Sequence, residues 1–146
     1  MNLKRYTKTH LAILSWLRSY KKLGQYQTAI NDYTKVIQLD PNNVTSYSNR
    51  GHAYTSLGQD QNAINDLTKA IQLDPTYASA YGNRGNVYHN LLGQYQLAID
   101  DFTKAIQFEP SALRYANRGI SYRALGQPAL ADADKTMACS LDSQYC

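Results

Sequence analysis

Three histidines and two cysteines are the side chains of this sequence most able to do chemistry, and their spacing argues against any. His10, His52 and His89 have no nucleophile or acid in register with them, so no acid–base relay can be drawn. Cys139 and Cys146 are seven residues apart, about 10 Å along a helix. That separation excludes a disulfide unless the tail unwinds. The thiols therefore read as small packed groups in a reducing, cytoplasmic setting. No ligand spacing suits a metal, and no phosphate-cradling glycine loop occurs. The expectation is a chain without catalysis, cofactor or metal. A different chemistry does recur. Asn49, Asn83 and Asn117 are spaced 34 residues apart, and each amide presents both donor and acceptor, the complement of a peptide unit.

The elements that position these amides follow from the same period. Asn49-Arg50-Gly51, Asn83-Arg84-Gly85 and Asn117-Arg118-Gly119 repeat at 34, as do Tyr20, Tyr54, Tyr88 and Tyr122. A fixed period of this length means stacked units, each burying its apolar face on the next. The units are 10–43, 44–77, 78–111 and 112–146, after a basic arm at 1–9, all forming one domain. Within a unit, Tyr47, Arg50, Gly51, Tyr54 and Leu57 mark one face of a first helix, and Ala63, Ile64, Leu67, Ala70 and Ile71 one face of a second. Gly24, Gly58, Gly93 and Gly126 end the first helices as left-handed caps. Asp40-Pro41, Asp74-Pro75 and Glu109-Pro110 stop the second helices, because proline disfavours helix in the residue before it.

Numbering each unit from 1 to 34, this pattern resembles the tetratricopeptide repeat family. That family places small or aromatic residues at positions 4, 7, 8, 11, 20, 24, 27 and 32. Unit two supplies Tyr47, Arg50, Gly51, Tyr54, Ala63, Leu67, Ala70 and Pro75, and unit three Tyr81, Arg84, Gly85, Tyr88, Ala98, Phe102, Ala105 and Pro110. The resemblance implies an all-α fold, a right-handed α-solenoid of four helix-turn-helix units with about eight helices. Unit one departs at Ile13 and Leu17, and unit four at Lys135 and Ser143, as terminal units facing solvent do.

Two expectations about packing follow. Glycine inside a helix costs about 1 kcal/mol against alanine. Gly51, Gly85 and Gly119 should therefore buy a close approach to Ala63, Ala98 and Ala131 on the partner helices. Arg50, Arg84 and Arg118 lie on an otherwise apolar seam and need partners. The preferred pairing joins successive units, Arg50 to Asp32, Arg84 to Asp66 and Arg118 to Asp101, with Asp134 left at the exposed end; pairing within a unit is the alternative.

The resemblance also implies that the first helices line a concave groove, with positions 2, 5, 6, 9, 12 and 13 pointing inward. The groove candidates are then Asn49, His52, Asn83, Asn86, His89 and Asn117, with Arg18 and Lys22 at a basic first end. Residues 1–31 hold six bases and no acid, so an acidic partner segment would be favoured. A chaperone-carboxylate role is disfavoured, because position 5 carries Leu14, Ser48, Gly82 and Ala116 and never lysine. The functional expectation is a protein-interaction module holding an extended peptide. The alternative is a non-catalytic piece of a larger enzymatic or signalling protein. Nucleic acid is disfavoured by the neutral groove, and self-association through Leu11, Leu14 and Leu17 is a further route. No apolar stretch reaches the length of a membrane span.

Overall fold

Gly58, Gly93 and Gly126 adopt φ of 68°, 60° and 79°, the left-handed region where a side chain is strained, and each reverses the chain. The turns share one hydrogen-bond pattern. The amides of Gln59, Gln94 and Gln127 donate across the glycine to the carbonyls of Tyr54, Tyr88 and Tyr122 at 2.8–2.9 Å. The computed structural model describes residues 8–146, with side chains from residue 22 onward. Over that range the chain is all helical: α1 (Lys8–Leu39), α2 (Val44–Ser56), α3 (Asp60–Leu73), α4 (Ala78–Asn90), α5 (Tyr95–Phe108), α6 (Ala112–Ala124) and α7 (Pro128–Leu141), then one 3₁₀ turn at Ser143–Tyr145.

Each helix packs on the next in sequence, which makes an α-solenoid. The leading helices α2, α4 and α6 also touch one another, whereas α3, α5 and α7 have no comparable mutual contact. The leading layer is therefore the inner one of a curved stack. The core lies between units as much as within them: Ala63, Leu67 and Ala70 of α3 bury Ala80 and Val87 of α4.

The first unit departs from the expected hairpin. Gly24 is not left-handed, and α1 runs through it without a break. A Cβ on Gly24 would meet nothing within 4 Å. Asp32 there is exposed and, among the described side chains, pairs only with Lys35, at 3.6 Å.

The arginine pairing expected between units is also corrected. Arg50, Arg84 and Arg118 each form a two-pronged bond within their own unit, to Asp66, Asp101 and Asp134, at 2.6–2.9 Å. Asp134 is buried, not left at an exposed end. The link to the preceding unit is made by the guanidinium's remaining nitrogen, which donates to Thr34, Thr68 or Thr103 at 2.9–3.1 Å. The reason is geometric. Gly51, Gly85 and Gly119 let the two helices of a hairpin close, so the carboxylate of the same hairpin comes within reach. A guanidinium has donors left over, and a neutral hydroxyl suffices for the third contact. Tyrosines three before and four after complete the setting: the Arg84 guanidinium lies 6.0 and 5.9 Å from the ring centres of Tyr81 and Tyr88. The hydrogen bonds it donates to Asp101 hold Arg84 above its usual range, while burial pushes the Asp101 carboxyl up against the pull of Arg84.

The glycines do make room, though not for alanine alone. A Cβ on Gly51 would sit 2.7 Å from Leu67 Cγ and 3.3 Å from the Ala63 carbonyl oxygen. On Gly85 it would press the Phe102 ring at 3.0 Å, and on Gly119 the Ala131 carbonyl at 3.2 Å. At the other end, the tail unwinds after Leu141 and Cys139 is bonded to Cys146, with Cα atoms 4.6 Å apart. The expected free thiols are thus corrected, and the thiol argument for a reducing compartment goes with them.

Candidate functional site

The inner face is built by helices that carry their polar residues inward because their apolar ones are taken by the seam. In α4, Ala78, Ala80, Gly85 and Val87 are buried, which leaves Ser79, Gly82, Asn83 and Asn86 for the open side. Between α4 and α6 that side opens into a pocket of about 410 Å³. Ser79, Gly82, Asn83 and Asn86 form one wall, and Leu113, Arg114 and Asn117 the other. Asn117 Nδ2 donates to Asn86 Oδ1 at 3.2 Å, so these two amides orient each other and leave free valences toward the opening. One turn deeper, His89 Nδ1 lies 2.9 Å from Ser121 Oγ, whose hydroxyl also reaches the Asn117 carbonyl at 3.0 Å. The His89 ring also lies 5.1 Å from Tyr95, and burial lowers its pKa from 6.5.

Asn83, Asn86 and Asn117 thus share one pocket, and Asn86, His89 and Asn117 line a smaller one of about 60 Å³ beside it. Asn49 and His52 lie on α2, exposed and outside both. Lys22 is exposed on α1, and the Arg18 side chain falls outside the described residues. Sequence reasoning missed Arg114. Its guanidinium is held by Glu109, with 2.8 Å to the carboxylate, and forms part of the pocket wall. A signal for it existed: Gly82 is the one position-5 residue without a side chain, and a Cβ there would be 3.9 Å from Arg114 Nε. Two large apolar side chains, Leu113 and Ile120, remain 56% and 57% exposed on α6, so the groove is mixed in character at that end.

A curved stack of helical hairpins with an open inner face is a helical-repeat scaffold, and the comparisons with known proteins make the class specific. The family profile described as TPR repeat matches residues 18–57 and 51–91, and that described as tetratricopeptide repeat matches 78–111. Among solved structures, a crystal structure of MamA shares 31% identity over 82% of this chain and 70% of its own, with a TM-score of 0.75. YrrB, described as a TPR protein with an unusual peptide-binding site, shares 28% over 76% of this chain, with a TM-score of 0.72; this chain spans 57% of it. TTC0263, a thermophilic TPR protein in Thermus thermophilus, has the same fold at 22% identity over 87% of this chain and 71% of its own, with a TM-score of 0.75. No curated protein sequence matches the chain. The chain belongs to the tetratricopeptide repeat family, and it is in general terms a protein-interaction module. Among the described residues no helix is long and apolar enough to cross a membrane, and no cluster of His, Cys, Asp and Glu could hold a metal.

Proposed function

We propose that this module is non-catalytic and holds an extended segment of a partner protein along the inner face of α2, α4 and α6, with its firmest grip between α4 and α6. The observation that carries this reading is the pocket of about 410 Å³ where Asn83, Asn86 and Asn117 converge. Three amides within one opening supply paired donors and acceptors, which is what a strand-like main chain needs once it leaves water. The grip would be general in sequence, because amides read the backbone. Side-chain preference would come from Leu113 and Ile120, which offer apolar contact. Any acidic preference would come from the basic sequence of the first helix, because Arg114 in the pocket is already paired with Glu109 at 2.8 Å. The peptide-binding site that YrrB is described as having supports a peptide as the occupant class.

The test is a titration of extended peptides, acidic and neutral, against the chain and against Asn83→Ala and Asn117→Ala. Each variant is expected to weaken binding about five- to tenfold, the effect of about 1 kcal/mol for a net hydrogen bond with a further desolvation cost. Unchanged affinity in both variants would remove the amide grip.

A further inference from the structure

The smaller pocket beside the amide opening has a chemistry of its own. Asn86, His89 and Asn90 of α4 and Asn117 of α6 set polar groups around it, and Phe102 and Ile120 add apolar contact. No acid, lysine or arginine is among these residues. The pocket measures about 60 Å³. One water needs about 10–15 Å³ of such space, so a few heavy atoms fit, while an aromatic ring or a long charged side chain does not.

The hydrogen bonds around the pocket decide which groups stay open. The buried Ser121 hydroxyl has a single hydrogen and lies 3.0 Å from the Asn117 carbonyl. Other helical hydroxyls of this chain, those of Thr28, Thr34, Thr55, Ser56 and Thr136, likewise donate to the carbonyl four residues back. Ser121 Oγ then accepts from His89 Nδ1 at 2.9 Å, so Nδ1 carries the proton. In the neutral ring this leaves Nε2 as a bare acceptor, with no hydrogen-bond partner among the described residues. Tyr95 packs on the imidazole with ring centres 5.1 Å apart. Asn86 accepts from Asn117 through its oxygen and keeps its amide hydrogens free. The pocket thus pairs an acceptor with donors and no charge. A hydroxyl answers both, because it donates once and accepts twice. A carboxylate only accepts, and would meet the Nε2 lone pair.

We propose that this pocket is a specificity subsite for a serine or threonine side chain of the bound segment, with His89 Nε2 accepting from the hydroxyl and Asn86 donating to it. The inference rests on the groove reading above and adds a residue preference that the amides alone do not supply. Ser121 is a positioning residue here, because it acts through the tautomer of His89.

The probes are two short fluorescent alanine peptides, one with a central threonine and one with a central valine, which differ by a hydroxyl in place of a methyl. Anisotropy titrations against the whole chain should show the threonine peptide binding about tenfold tighter, as a hydrogen bond formed out of water allows. His89→Phe should make the two peptides bind alike. Ser121→Ala should shrink the threonine advantage by letting the other tautomer form, although Ser121 does not line the pocket. Asn83→Ala should weaken both peptides and leave their ratio unchanged, since Asn83 lines only the larger pocket. Circular dichroism confirms that each variant is folded. On the unaltered chain, long-range proton–nitrogen correlation at about pH 8, where the ring is neutral, should find His89 Nε2 without a proton. Equal affinity for the two peptides, a threonine advantage that survives His89→Phe, or a proton on Nε2 would overturn the subsite and leave the amide grip standing. Binding of neither peptide would remove the groove reading and this inference with it.

Discussion

Leu23-Gly24-Gln25 and Leu57-Gly58-Gln59 are the same three residues, yet the first lies inside an unbroken helix and the second reverses the chain. The turn residues are thus permissive and not decisive. What differs is the hairpin they would close. Units two to four carry glycine at position 8 and arginine at position 7, so their helices approach and are clamped to a carboxylate. Unit one carries Leu17 and Trp16 in those places, and among the described side chains Asp32 pairs with Lys35 and with no guanidinium. Tertiary contact selects which of two local conformations the same tripeptide takes, as expected when propensity is a weak prior.

The comparison is most forcefully broken by removing a clamp. Arg84→Ala leaves Asp101 buried without its partner and Thr68 without its donor; thermal or urea unfolding is expected to show a loss of about 3–5 kcal/mol. The same substitution has no counterpart in the first unit, which carries Trp16 at that position. Next come the two glycines. Gly58→Ala forces a side chain into the left-handed region and should lower stability by about 1–2 kcal/mol. Gly24→Ala, in a helix with open space around it, should instead raise helix content and stability by up to about 1 kcal/mol. A loss at Gly24 equal to that at Gly58 would show that the first unit closes as a hairpin in solution.

The smallest effect is in pH. Burial lowers the His89 pKa below its ordinary 6.5, so the unfolded chain takes up a proton before the folded one does. Stability is therefore full above about pH 6.5 and declines as pH falls through that value toward the lower folded pKa. His89→Asn should flatten this part of the profile, as read by unfolding at a series of pH values.

Much of the fold could be read from spacing. The 34-residue period, the proline stops and three of the four glycine turns emerge from residue types alone, because each has a local cause. What could not be read depended on distances across the stack. The arginine partners were open because Asp recurs with the same period as Arg, so either register satisfied the pattern. The disulfide was hidden because its two cysteines are far apart on a continuous helix, and only the unwinding after Leu141 brings them together. In the groove, asparagine spacing brought out Asn83 and Asn117, but Arg114 depended on the space that Gly82 leaves open.

The arginine arrangement has a mechanical consequence. Within a hairpin the hold is ionic and two-pronged; between hairpins the only polar tie of that guanidinium is a single neutral hydroxyl. Pulled from its ends, such a stack would behave as stiff links on softer joints, stretching first by changing its curvature and giving way one link at a time.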